Sequence, residues 1–286
     1  MDSPNTIYHV RKNAIARLAS SSPTPALDAD LLLCHVLGRD RPYLFAHPEH
    51  LLTDAEYTAF QHLVARASDG EPIAYLLGHR GFFDLDLIVT PAVLIPRPET
   101  ELLLEAALAF APVNQPVSAA DIGTGSGALA VTFAKHRPLA HVHAVDVSGN
   151  ALAVAQQNAE KYAVSGRITW HHGSLLEPLI AQSVRLDLLM ANLPYIPRDV
   201  VQELDVSRHE PMLALDGGID GLDLIRELLG QMRGVLRPGG LALLEFGAGQ
   251  GADVLAAARE RFGDDLAAHI IYDYAGHDRH LHMLMP

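Results

Sequence analysis

The chain has 286 residues, 49% of them hydrophobic, with 34 acidic against 21 basic side chains and a formal charge of −13. That apolar content excludes global disorder and allows one large domain or two modest ones. The acidic balance weighs against duplex DNA as a substrate, because a DNA binder needs a basic footprint to replace counterions.

A single cysteine, Cys34, excludes an internal disulfide and a multi-cysteine metal site. Its apolar neighbourhood, Leu31 to Leu37, predicts a buried structural thiol. Met1 to Val10 is mixed polar and lacks the apolar core of a signal peptide. No uninterrupted apolar stretch reaches the roughly 20 residues needed to span a bilayer. A soluble, cytoplasmic protein with no membrane partner is expected, working as a monomer.

Residues 1–78 read as a helical domain. Apolar spacing predicts a helix from Thr6-Ile7 to Leu18. A second runs from Ala26 to Leu37, with Pro25 suited to its first turn and Gly38 to its end. Thr53-Asp54-Ala55-Glu56 resembles a capping box opening a helix to Ala67. Pro72 to Leu77 forms a short turn of helix closed by Gly78. Residues 79–97 then read as a linking β-hairpin, with Phe82 to Val89 paired to Val93-Leu94-Ile95. Pro98 suits a helix start, with Glu99 and Glu101 in its first turn.

Over 98–286 strands and helices alternate. Candidate strands are Val117 to Ile122, Ala140 to Val145, Ile168 to His171, Leu186 to Ala191, Leu241 to Phe246, Ala268 to Tyr272 and His280 to Leu284. Helices lie near 101–111, 127–136, 150–162, 221–235 and 250–262, and Leu236 to Gly240 reads as a helix end. This is the pattern of an α/β fold with a doubly wound sheet. The last two strands lack a long intervening helix, which predicts an antiparallel hairpin.

Two loops carry chemistry. Asp121-Ile122-Gly123-Thr124-Gly125-Ser126-Gly127 leaves the first strand of this domain and enters a helix. Glycine lets backbone approach a ligand closely, and this G-x-G-x-G spacing lacks the further residue of a dinucleotide fingerprint. Asp146 ends the second strand, where a carboxylate can accept from both ribose hydroxyls of a nucleoside. Asp121 is either a plain strand-end acid or a partner for a cofactor ammonium group.

Asn192-Leu193-Pro194-Tyr195 follows a later strand and suits a planar NH2 group. An amide nitrogen is a poor nucleophile, so its two N–H bonds need fixed acceptors that orient it. The Asn192 side-chain oxygen and the Leu193 carbonyl can supply them. Pro194 stiffens the turn and biases Leu193 toward extended backbone. Tyr195 offers an aromatic face to the amide or to a cationic donor. The sixteen histidines include i, i+2 pairs at His141/His143 and His280/His282, but no third ligand clusters with either, and no metal is expected.

The glycine loop resembles the S-adenosylmethionine site of class I methyltransferases. Over nearly the whole chain the sequence resembles the release-factor glutamine methyltransferases. The likeness lies in Leu94 to Glu101, Asp121 to Gly127, Asn192 to Tyr195, and Glu210-Pro211 through Leu215 to Gly221. It implies a class I methyltransferase sheet, a helical N-terminal substrate-recognition domain and a linking hairpin. It implies N5-methylation of the glutamine amide in the Gly-Gly-Gln motif of class 1 peptide-chain release factors. By the same likeness, Gly123, Thr124, Gly125, Ser126, Gly127, Asp146 and Asn192 contact S-adenosylmethionine, and Asn192 to Tyr195 hold and activate the substrate glutamine.

Two departures stand out. Leu193 replaces the commoner first proline of Asn-Pro-Pro-Tyr. Ser174 stands where the family often has an acid that bonds adenine; its hydroxyl can still bond the adenine amino group, more weakly than a carboxylate, and Leu175 can flank the ring, while either residue serves equally as loop structure. Arg97 and Glu99 line the active-site mouth or simply start a helix, and Glu210 to Gly221 shapes a substrate channel or is a plain loop. Alternatives in the same chemistry are a ribosomal-protein glutamine and adenine N6. The charge and the helical N-terminal domain disfavour adenine. A non-catalytic cofactor-binding regulator and a nicotinamide dehydrogenase are disfavoured by the amide clamp and the glycine spacing.

Overall fold

The computed structural model describes residues 4–286. Met1 to Ser3, which open both the expected helical domain and the N-terminal stretch read above, lie outside them. The chain divides into two compact units, Met1–His79 and Arg80–Pro286.

The first unit contains α1 (Ile7–Leu18), α2 (Pro25–Leu37), α3 (Arg41–Ala46), α4 (Asp54–Ser68) and α5 (Ile73–Leu77). Local chemistry sets the ends. The Thr53 hydroxyl accepts from the Glu56 N–H while Glu56 reaches back to the Thr53 N–H, a complete capping box. Gly38 and Gly78 stop α2 and α5 at φ values of 61° and 78°, a left-handed region open to glycine without strain. Ile7, Val10, Leu18, Leu32, Leu33, Phe60 and Val64 form the core. Asp30 is fully buried within this unit and is held by Arg11 and Arg41 at 2.5 and 3.0 Å. A carboxylate out of water persists only with such partners. Cys34, expected to be buried, is only part-buried: it packs against the core from beside the fully buried stripe of Ala29, Leu32 and Leu33.

The hairpin differs from expectation. β1 (His79–Phe82) pairs with β2 (Leu85–Ile88), and Val93 to Ile95 is not a strand. The turn falls at Phe83-Asp84, with Phe83 at φ 56°, inside the stretch read as one strand. Pro91, Pro96 and Pro98 lack the N–H groups a ladder needs, so 91–97 runs as a loop with Val93 and Ile95 buried. The buried Asn158 carboxamide ties β2 to the loop at Ser126, accepting from the Ile88 N–H and donating to the Ile88 and Ser126 carbonyls.

In the larger unit the strands β3 (Val117–Ile122), β4 (Ala140–Asp146), β5 (Ile168–His172), β6 (Leu186–Asn192), β7 (Leu236–Glu245), β8 (Ala268–Tyr272) and β9 (Asp278–Leu284) form one sheet in the order β5-β4-β3-β6-β7-β9-β8. β3 to β7 pair in parallel, and β9 lies antiparallel between β7 and β8. Leu236 to Gly240, expected to end a helix, instead begins β7. The pairing jumps from Leu186↔Leu236 to Leu188↔Leu241, so Arg237 to Gly240 bulges out. The bulge is held because Gly239 donates to the Met285 carbonyl and Met285 donates to that of Gly240.

Helices cover both faces: α6 (Pro98–Phe110), α7 (Ala128–His136), α8 (Gly149–Lys161), α9 (Glu177–Ala181), α10 (Arg198–Val201), α11 (Asp223–Gln231) and α12 (Gly251–Phe262). Central strands are buried on both sides, and their alternate residues serve different cores. Leu189 and Ala191 pack toward α11 and α12, while Leu188 and Met190 pack toward α6 and α7. The chain steps from β3 outward to β4 and β5, then crosses to β6 on the other side of β3. That reversal makes a crevice at the carboxyl ends of β3 and β6, where open α/β sheets bind ligands.

Candidate active site

The two signature loops leave neighbouring strands. Ile122 of β3 is paired with Ala191 of β6, so the glycine loop and the Asn192 turn emerge side by side. They touch: a methyl group on Gly123 would stand 3.0 Å from the Leu193 side chain. Glycine is required there twice over, since Gly123 also sits at φ 72°.

The glycine loop is braced by backbone. Gly123 and Thr124 both donate to the Val145 carbonyl, and Gly127 donates to that of Thr124. One Asp146 carboxylate oxygen accepts from the Gly125 N–H at 2.9 Å and the other from the Ser148 N–H at 2.8 Å. Each oxygen keeps a further lone pair for a ligand. Burial raises the Asp146 carboxyl above its ordinary range, against the pull of these N–H groups. Asp121 is buried outright; one oxygen accepts from the Thr124 hydroxyl at 2.6 Å and the Ala130 N–H at 3.0 Å. Desolvation pushes its carboxyl up to about 6, with the neighbouring Asp146 adding to the rise. A buried acid without a cation beside it suits a cationic ligand group.

A cavity of about 270 Å³ opens at this point. Gly123, Thr124, Gly125, Ser126, Asp121 and Asp146 line it where β3 and β4 end, Ser174 and Leu175 line it after β5, and Asn192, Leu193 and Pro194 line it where β6 ends. Arg97 and Thr100 also border it, as do Pro211, Leu213 and Ala214. Gly127 and Tyr195 do not. Gly127 caps α7 at φ 79°, packed on Ala155 and Val131. The Tyr195 carbonyl accepts from Gln250, and burial holds its phenol protonated, pushed up to about 12. Leu175 keeps a left-handed φ of 45°, an uncommon setting for a leucine and one often found beside ligands.

The Asn192 turn is held from far along the chain. Ile196 donates to the Leu215 carbonyl, and Gly217 donates back to that of Ile196. A Cβ on Gly217 would meet the Tyr195 Cα at 2.7 Å, and one on Gly221 would meet the Tyr195 carbonyl oxygen at 2.2 Å. Those two glycines are therefore dictated by close approach to the turn. Glu210 is buried and clamps the 91–97 loop, accepting from the Ile95 N–H at 3.1 Å and the Arg97 guanidinium at 2.6 Å. Glu99 lies outside the cavity lining. The Asn192 carboxamide donates from Nδ2 to the Thr100 hydroxyl at 2.9 Å, which in turn donates to Glu245 at 2.7 Å. The sequence places Thr100 in a segment of family likeness but gives it no role, and it does not mark Glu245. A threonine in a first helical turn and a glutamate ending a strand carry no signal until the fold joins them.

Among the described residues, no group of three or more His, Cys, Asp or Glu side chains is arranged to hold a metal. His141, His143 and His171 lie close together across β4 and β5, with 3.0 Å between ring nitrogens of His143 and His171. Burial and the neighbouring rings lower His143 to about 4, and the three form no metal cluster.

A parallel sheet in this order with β9 inserted antiparallel, and a glycine loop facing an acid at the end of the second strand, define a class I methyltransferase. Residues 119–205 match a methyltransferase domain model and residues 9–78 match the PrmC N-terminal domain. The chain is 44% identical to the release factor glutamine methyltransferase of Moorella thermoacetica, over 96% of both chains. It is 40% identical to that of Coxiella burnetii, over 87% of this chain and 89% of the relative. A solved methyltransferase from Pyrococcus furiosus shares the fold at 19% identity, with a TM-score of 0.52 over 78% of this chain and 96% of that one. The chain belongs to the release factor glutamine methyltransferase family.

Proposed function

We propose that the protein methylates the side-chain amide nitrogen of a glutamine in the Gly-Gly-Gln motif of class 1 peptide-chain release factors, using S-adenosylmethionine. The observation that carries this reading is the single cavity bordered by the glycine loop at one end and by Asn192 and Leu193 at the other.

The donor set fits the cofactor. Gly123 to Gly127 give close backbone approach, Asp146 offers lone pairs to ribose hydroxyls, and buried Asp121 suits an ammonium group. Ser174 and Leu175 stand beside the position an adenine would take. When bound, that cofactor supplies a methyl group on a sulfonium sulfur; the glutamine nitrogen forms the new N–C bond, the C–S electron pair stays on sulfur, and one amide proton leaves to water. The chain's own part is orientation. Asn192 and the Leu193 carbonyl accept the two N–H bonds, which turns the nitrogen lone pair toward the donor and favours a tetrahedral nitrogen. Leu193 acts through its carbonyl, so the proline it replaces is not required. Tyr195 packs behind the turn and stays protonated, so it is no base. Arg97, Pro211, Leu213 and Ala214 border the cavity the acceptor would enter. Residues 1–78 recognise the body of the release factor.

A release factor works with the ribosome, so this reading places the reaction in the cytoplasm. No helix among the described residues is long and apolar enough to cross a membrane. The test is incubation with methyl-labelled S-adenosylmethionine and, in separate reactions, a class 1 release factor, ribosomes and DNA, followed by mass mapping of the labelled peptides and nucleosides. Label on the Gly-Gly-Gln glutamine is expected. Label on a ribosomal-protein glutamine or an adenine alone would move the substrate, and no label on any of these would end the reading.

A further inference from the structure

Asn192 and Glu245 are paired residues at the ends of adjacent parallel strands, β6 and β7. Pro98 starts α6 so that Thr100 falls in its first turn, over those strand ends. The Thr100 hydroxyl, buried at 4% exposure, lies 2.7 Å from the Glu245 Oε2 and 2.9 Å from the Asn192 Nδ2.

We infer that Glu245 and Thr100 are positioning residues that fix which end of the Asn192 carboxamide faces the acceptor. The inference rests on the reading above, in which Asn192 accepts an amide N–H. A hydroxyl has one proton to give, and a carboxylate has only lone pairs. The Thr100 proton therefore goes to Glu245. What Thr100 turns toward Asn192 is a lone pair, which pairs with N–H and not with C=O. The carboxamide is held with Nδ2 inward, and Oδ1 is left for the cavity. Flipped by half a turn, the amide oxygen would face the threonine lone pair and an N–H would point at the substrate's own N–H groups. A buried acceptor left without a donor is costly enough to keep the flipped state rare. Glu245 itself is 1% exposed, with His280 at 3.6 Å, so the Thr100 hydroxyl is the partner it has in hydrogen-bond range on this side. The relay makes Asn192 an acceptor before any substrate arrives, which is the preorganisation an amide clamp needs.

Thr100→Val keeps the side-chain shape and removes the hydroxyl, whereas Thr100→Ser keeps the hydroxyl. Thr100→Val is expected to lower kcat for the release factor by about 10- to 100-fold, with the cofactor Kd changed by less than about threefold. Thr100→Ser is expected to recover most of the rate, which a role in packing alone does not explain. In NMR spectra of the unliganded wild-type protein, the Asn192 side-chain amide protons should be protected from solvent exchange, and Thr100→Val should remove that protection. Methylation by Thr100→Val at the wild-type rate, a Thr100→Ser enzyme as slow as Thr100→Val, or unprotected amide protons in the wild type would each overturn the relay. A wild-type enzyme that leaves every glutamine unmodified would bring down the functional reading instead, and the exchange measurement would still decide the relay.

Discussion

The two ends of the cavity are built differently. The end proposed to take the cofactor is local: Gly123, Thr124, Gly125 and Gly127 are tied by backbone bonds to one another and to Val145, and Asp146 clasps Gly125 and Ser148. Nearly everything that shapes it lies within one β-α-β segment. The acceptor end is assembled from distant parts of the chain. Thr100 comes from α6 and Glu245 from β7, while Glu210, Gly217 and Gly221 come from the loop before α11. A cofactor common to many reactions is met by a local motif. A particular acceptor is met by a turn propped by residues from distant parts of the chain.

The contrast predicts that damage at the acceptor end slows chemistry and spares cofactor binding, while damage at the cofactor end does the reverse. The largest effect is expected for Asn192→Ala, with kcat lowered by about 100-fold or more and the cofactor Kd little changed. Steady-state rates paired with calorimetry test this, and equal losses in both would erase the distinction between the ends. Gly221→Ala is next. Its Cβ cannot fit beside the Tyr195 carbonyl, and φ 83° strains any side chain. About a tenfold loss of rate, with cofactor binding retained, is expected on the scale of a misplaced catalytic turn.

Asp121→Asn tests the other end. The amide oxygen can still accept from Thr124 and Ala130, so the fold is kept while the charge is lost. Binding of S-adenosylmethionine should weaken by about tenfold at pH 8. In the unliganded wild type, the Asp121 carboxyl is raised from 3.8 to about 6. Its contribution to stability is thus fully present below about pH 4 and lost as pH rises through about 6. The variant should melt roughly 2–6 °C higher than wild type at pH 8 and no higher at pH 4. A melting difference independent of pH would contradict this. The same titration implies that wild-type cofactor affinity falls as pH drops below about 6. The smallest effect is expected for Glu210→Gln, which keeps one acceptor for Ile95 and weakens the pull on Arg97. A rise of about two- to fivefold in KM for the release factor is expected, on the scale of weakening one charge-assisted hydrogen bond to Arg97. A matching fall in cofactor affinity would place Glu210 at the wrong end.

Local rules made much of this legible. The capping box at Thr53, the stops at Gly38 and Gly78, and the strand from Val117 to Ile122 follow from residues that touch their sequence neighbours. Asp146 was recognisable because strand length sets where an acid falls. The sequence hides the hairpin partner because the turn at Phe83-Asp84 carries no glycine and sits inside a run that reads as one continuous strand. The bulge at Arg237 to Gly240 needed Met285, some 45 residues on (285 − 240), to explain it. The roles of Thr100 and Glu245 are hidden for the same reason: 145 residues separate them, and only sheet register and the placement of α6 bring them to Asn192.

The most direct measurement is a crystal structure of the protein with S-adenosylhomocysteine and a Gly-Gly-Gln peptide. The glutamine nitrogen should lie about 3 Å from both the Asn192 Oδ1 and the Leu193 carbonyl oxygen, with the cofactor sulfur on the face opposite them. A glutamine seated elsewhere, or an Asn192 carboxamide turned with Nδ2 toward the peptide, would contradict the proposed clamp.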